Sequence, residues 1–237
     1  MKEKFLTESV YSNGLPHPPI RLRLRFAVEL GVLVVLTTLF LWLAPDSLRN
    51  TGAYIGLSIV MLGYIGFTAN ETKERIWGPP ASLEFDRIRH CAINMTLLTL
   101  PPVIIFLIFG VVARYWQLWG YEQKAAMFSL NFLIALCLYL PWALLQQTLF
   151  QFYLLGRLRA LLPFAPVFLL SFFNGVLYGL VHLPDPWVTL VTIIGGIFWS
   201  YSYHRDRYVL PLAISHAVLG ATFYYWVYGR DLIGDFK

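Results

Sequence analysis

The sequence is short of charge. Only 13% of its 237 residues are Asp, Glu, Lys or Arg, while 58% are hydrophobic. A soluble domain carries about 25% charged residues, so half of the usual solvating surface is missing and an ordinary soluble fold is excluded. Cysteine is scarce too, with Cys91 and Cys137 the two present. They give no disulfide framework, no CxxC pair and no zinc-knuckle spacing, and both read as packing residues. No Ser/Gly linker, low-complexity tract or internal repeat divides the chain. There is no basic domain either, so the net charge of +5 does not point to nucleic acid as a partner.

What the sequence does have is apolar residues in long blocks. Phe26–Ala44 runs nineteen residues with one charge, Glu29, and similar blocks recur to the C-terminus. About 20 such residues cross a bilayer as a helix. Backbone polar groups in lipid must be satisfied within the segment, which makes helix the expected form. A β-barrel would alternate rather than run continuously apolar. The expected fold is therefore all-α, a polytopic integral membrane protein of about seven transmembrane helices. Its spans fall near 26–44, 53–69, 92–113, 127–156, 164–182, 187–203 and 208–228. The fourth is too long for one simple crossing and contains Pro141, which predicts a kink, a tilt or an interfacial stretch. Residues 1–25 read as a cytoplasmic N-terminal segment and 26–237 as one membrane domain. The first apolar block is too long for a signal-peptide core and is expected to stay as an anchor.

Lys and Arg set the expected topology. With the N-terminus inside, thirteen of them lie in cytoplasmic segments, among them Arg157, Arg159, Arg205 and Arg207, and five lie opposite. This bias predicts a cytoplasmic N-terminus and an external C-terminus, with the lipid bilayer as the first partner. The longest polar connection, Asn70–His90, holds Pro79-Pro80 and falls on the cytoplasmic side. Tyr115, Trp116, Trp119 and Tyr121, and again Tyr224, Tyr225, Trp226 and Tyr228, are expected at the headgroup boundary. Glu29 lies near the basic Arg21–Arg25 stretch, and an ion pair there accounts for a carboxylate inside a span.

Polar side chains inside spans are costly and point to function. Three clusters stand out, all in the last four spans. Gln146-Gln147 precede Gln151, with 147 and 151 on one helical face and 146 about 100° away. Asn174, Tyr178 and His182 follow at i, i+4 and i+8, along one face. Ser215-His216 is followed one turn later by Gly220. Amide hydrogen bonds between helices and a small residue at a close crossing would each explain one cluster separately. Their confinement to one half of the chain favours a shared polar cavity. On straight helices entering at equal depth, His182 and His216 would differ in height by about 15 Å. Tilt and a deeper start of the fifth span, which Pro163 and Pro166 favour, would close this gap, while Pro184 and Pro186 predict an abrupt turn after His182.

These residues resemble the motifs of the CPBP family of intramembrane proteases (CAAX protease and bacteriocin processing, or Abi). Gln146-Gln147-Thr148-Leu149-Phe150-Gln151 is similar to the family's Glu-Glu-x-x-x-Arg. Tyr178-Gly179-Leu180-Val181-His182 is similar to its Phe-x-x-x-His, and His216-Ala217-Val218-Leu219-Gly220 to its His-x-x-x-Asn. The likeness runs over about residues 127–228, in motif order, and implies a helical membrane core with a polar cavity. It implies that Gln146 takes the place of a water-activating glutamate, Gln147 that of its neighbour and Gln151 that of the arginine. His182 and His216 keep positions that bind or polarise a scissile carbonyl, and Gly220 replaces an asparagine. A compact member of this family is expected in a bacterial inner membrane.

The departures decide what chemistry to expect. A glutamine amide does not titrate and cannot act as a general base. Two histidines without an anionic ligand make a poor zinc site, so no metal or other cofactor is expected. Losing the asparagine removes an oxyanion donor. The replacements are coordinated, however, with two negative charges and one positive charge leaving together. A single uncompensated charge would cost about 3 kcal/mol on insertion scales. The expected function is thus a non-catalytic or altered-site homologue that binds a membrane or envelope peptide or protein. An active peptidase is the alternative, with His182 and His216 working beside a water that Gln146 orients. A small transporter or lipid-binding protein is a third reading, though it would favour the internal repeats that are missing here.

Overall fold

In the computed structural model, the described residues are 20–42, 51–71, 84–116 and 126–231. The expectations for the first nineteen residues, for Pro79-Pro80 and for Trp119 and Tyr121 lie outside them. Among the described residues every regular element is helical. In order these are α1 (Ile20–Trp42), α2 (Thr51–Glu71), α3 (Glu84–Tyr115), α4 (Leu130–Gln147), α5 (Leu155–Leu161), α6 (Val167–Leu180), α7 (Pro186–Asp206) and α8 (Val209–Thr222). Two π-helical stretches complete the set, Thr148–Leu154 between α4 and α5, and Phe223–Val227 after α8. The all-α membrane class follows. Phe85–Tyr115, Leu130–Leu161 and Val209–Val227 are each long and apolar enough to cross a bilayer, while Ile55–Ala69 and Val167–Leu180 are apolar but shorter.

Local chemistry sets the helix ends. Ser129 caps α4, its hydroxyl accepting from Phe132 N at 3.1 Å. Asp185 caps α7 by accepting from Trp187 N and Val188 N at 3.0 Å each, with Pro186 in the first turn, where its missing N–H costs nothing. Arg207 ends α7 in the left-handed conformation. Pro141 does not break α4. The departure from α geometry comes at Thr148–Leu154, where the backbone widens into a π-helix, a feature enriched at functional sites. The abrupt turn expected after His182 is present, with α6 ending at Leu180, a cis Leu183–Pro184 peptide and α7 opening at Pro186.

The described residues divide into two compact units. The first contains α1, α2, the Thr148–Leu154 stretch from Leu149 onward, α5, α6 and α7. Within it α6 and α7 pack at backbone distance. A Cβ on Gly175 would lie 2.6 Å from Ile197 N, and one on Gly179 would lie 2.8 Å from Thr189 O. The i, i+4 glycine pair on α6 is what lets the two helices close on each other.

Glu29 is buried in the same unit, accepting from Arg25 Nε at 2.8 Å and from Arg157 Nε at 3.0 Å. Its second oxygen also accepts from the Tyr153 hydroxyl at 3.2 Å. Arg157, expected among the cytoplasmic loop charges, is instead fully buried in α5, with its guanidinium over the Tyr153 and Phe26 rings. A buried carboxylate needs a buried cation, and its neighbour in sequence supplies only half of that requirement.

The second unit contains α3, α4, α8 and the last π-helical stretch. Phe132 and Ala135 of α4 pack with Ala221, Tyr225 and Trp226 in its core. This corrects the expectation of an interfacial belt for Tyr225 and Trp226. Both are buried, the tyrosine donating to Asp231 at 2.7 Å and the indole N–H to Met127 O at 2.9 Å. Those partners satisfy the polar tips that would otherwise seek the headgroups. Tyr115 and Trp116 are exposed. Cys91 is buried, but Cys137 is exposed on α4 and is no packing residue.

Candidate functional site

The first unit holds the Gln151 and Asn174 part of the expected site. Gln151, on the π-helical stretch, meets Asn174 of α6 and Ser200 of α7, and all three side chains are fully buried. Asn174 Nδ2 donates to Gln151 Oε1 at 3.0 Å and to Ser200 Oγ at 2.8 Å. Ser200 Oγ lies 2.8 Å from Gln151 Oε1 and 2.6 Å from Gly196 O. Gln151 Nε2 and Asn174 Oδ1 have no hydrogen-bond partner in the protein. Turning both amides over exchanges the roles without changing the count, because one outward donor and one outward acceptor remain. An enclosed pair of this kind suits a water molecule.

Tyr178 is fully buried one turn on from Asn174 and packs edge-on against Phe150 at 4.6 Å between centroids. The face expected to run through Asn174, Tyr178 and His182 holds as far as the second. His182 lies past the end of α6, partly buried in the turn, with its ring edge-on to Tyr178 at 5.8 Å. Its Nδ1 is 3.1 Å from Tyr178 O. A carbonyl only accepts, so Nδ1 carries the proton of the neutral ring and Nε2 keeps its lone pair.

The second unit holds Gln146, Gln147, His216 and Gly220. α4 and α8 meet on Ala143, Ala213 and Ala217, and the small side chains draw the helices together. Tyr139 lies opposite His216 and Gly220, and Ala143 packs with Ala213 and Ala217, so the two helices run antiparallel. Gln146 and Gln147 follow one turn beyond Ala143, and both are buried. Gln147 is fully enclosed, and neither its amide nitrogen nor its amide oxygen has a protein partner. Leaving such groups unmade costs about 1–3 kcal/mol each.

His216 is buried, with the Tyr139 ring against it. A groove of about 620 Å³ lies between α3 and α8, lined by Met95, Thr99, Leu100 and Ser215 among others, but by neither His216 nor a glutamine.

The structure thus groups Gln151 with Asn174, and Tyr178 with His182, in one unit. Gln146, Gln147, His216 and Gly220 fall in the other. Among the described residues no cluster of three His, Cys, Asp or Glu side chains could hold a metal. A catalytic zinc site takes three imidazole, thiolate or carboxylate ligands, and two imidazoles with neutral amides do not supply them. Sequence reasoning passed over Ser200 and Tyr139, and set Arg157 among the loop charges. Ser200 is an ordinary serine in sequence, and its role depends on which turn of α7 faces Asn174.

The long apolar helices, with the buried amides of Gln146, Gln147, Gln151 and Asn174 among them, define an all-α membrane protein. Residues 126–222 match the family model described as Rce1-like, type II CAAX prenyl endopeptidase Rce1-like. The match supports the CPBP/CAAX-protease family for this part of the chain. It takes in α4 to α8 with every candidate residue named above, and leaves α1 to α3 outside. Neither the comparison with curated proteins nor that with solved structures gives a match.

Proposed function

We propose that this CAAX-protease-like chain binds a peptide segment of a membrane or envelope partner and does not hydrolyse it by a glutamate mechanism. Gln147 carries the reading. It sits where the family resemblance has a carboxylate, and both atoms of its enclosed amide lack a protein partner. An amide offers one donor group and one acceptor, the complement of a peptide unit, and it takes no proton from water.

The test is photo-crosslinking from position 142, where half-buried Trp142 can be replaced by an aromatic photoreactive residue one turn before Gln146. An adduct that disappears in Gln147→Leu supports the reading. An adduct indifferent to that change, or none at all, contradicts it.

One observation favours a second reading, an active peptidase. The Nδ1–H of His182 is held by Tyr178 O, which leaves Nε2 as a base on a partly exposed ring. In that reading His182 activates the water and His182→Ala abolishes cleavage.

A further inference from the structure

Gly220 is a glycine for a visible reason. A Cβ there would lie 2.5 Å from Tyr139 Cε1, 2.6 Å from Cζ and 2.9 Å from the phenol oxygen. The hydroxyl end of Tyr139, and not only its ring, therefore fills the space beside residue 220. The same ring stands edge-on to the His216 imidazole, with centroids 5.7 Å apart and planes at 80°. His216 and Gly220 are one turn apart on one face of α8, so a single tyrosine spans both. The apolar part of this contact is Ala143, Ala213 and Ala217, with Leu140 and Leu144 beside them. A phenol oxygen both donates and accepts, and half-buried tyrosines keep their hydroxyls paired.

We propose that Tyr139 is a positioning residue of the His216 site. Its hydroxyl is the hydrogen-bonding group that sets the imidazole, and a carbonyl held there takes over its O–H in exchange. It occupies the volume where the resemblance has an asparagine side chain, so the loss of that amide at 220 and the presence of a tyrosine at 139 are one exchange. The role in holding a carbonyl rests on the peptide-binding reading above, whereas the effect on the imidazole does not.

The first test is nitrogen NMR of the full-length protein in detergent, with labelled histidine and the His216 signals assigned from His216→Gln. Tyr139→Phe keeps the ring and removes only the oxygen. The ring-nitrogen shifts of His216 are expected to move while those of His182 stay. Gly220→Ala, which drives the ring away, is expected to move the same signals and gives a second variant should the first not fold. A packing role alone would leave His216 unchanged in Tyr139→Phe, and that result overturns the proposal.

The second readout is the position-142 adduct. It is expected to fall about tenfold in Tyr139→Phe, the worth of one hydrogen bond, and to recover in the double variant Tyr139→Leu/Gly220→Asn. Absence of any adduct in the wild type would end the peptide-binding reading and leave the NMR result to decide this one.

Discussion

Glu29 of α1 and Arg157 of α5, 128 residues apart, form a buried ion pair at 3.0 Å. The Tyr153 hydroxyl shares the carboxylate and is itself 3.1 Å from Thr68 Oγ1 on α2. Two helices outside the family match thus hold the segment that carries Gln151. Removing one member of a buried pair leaves the other uncompensated, at about 3–5 kcal/mol. Glu29→Gln or Arg157→Met alone is therefore expected to lower stability by that order, and the double variant by much less than the sum. Denaturant unfolding in detergent measures it.

The α6–α7 contact gives a second expectation. A methyl group on Gly179 would meet the Ile193 side chain and, beside it, the Thr189 carbonyl and Ile193 N, backbone atoms that no rotamer change can move. Gly179→Ala is expected to cost about 1–3 kcal/mol. Gly156, where an added Cβ would meet nothing within 4 Å, is the control, and Gly156→Ala is expected to be neutral or slightly stabilising. Thermal unfolding of the two variants separates them.

Gln147 sets stability against function. Its amide is enclosed and has no protein partner, so Gln147→Met removes a desolvation penalty while nearly keeping the volume. Stability is expected to rise by about 1–2 kcal/mol while partner capture is lost. A fall in stability would mean that the amide is satisfied in the resting protein.

His204 lies at the basic end of α7, beyond the expected span 187–203. Burial first, then the charges of Arg159 and Arg207, push its pKa down from 6.5 to about 4. Arg159 Nη1 approaches the ring nitrogens at 2.6 Å. The unfolded chain therefore takes up this proton at higher pH than the folded chain. Stability from this group is complete above about pH 6.5 and is lost as pH falls toward 4. His204→Gln is expected to flatten the pH dependence of unfolding in that window and to leave it unchanged above.

Much of the fold was legible because lipid imposes it. The apolar blocks ending near Ala44, Ala69 and Tyr228 lie close to the ends of α1, α2 and the last π-helical stretch, since length and apolarity alone define a span. α3 starts earlier than expected, at Glu84, because its polar first turns are helical although not apolar. Tyr225 and Trp226 were misplaced because an aromatic residue carries no mark of whether headgroup or protein satisfies its polar tip. The π-helix at Thr148–Leu154 was not legible, since a shift of hydrogen-bond register leaves the apolar pattern unchanged. Gln146, Gln147, His182 and His216 were legible as polar residues inside apolar spans, and the motif likeness followed from them. Ser200, which bonds Gln151 and Asn174, and Tyr139, which stands against His216, each come from another helix, and no spacing along the chain connects them.

The proposed function is binding of a membrane or envelope peptide without its cleavage. It is tested most directly by comparing the N-termini of membrane proteins in cells with the wild-type protein, with His182→Ala and with neither. Identical N-termini in all three are predicted. A cleavage product that appears with the wild type alone would contradict the claim and place the chemistry on His182.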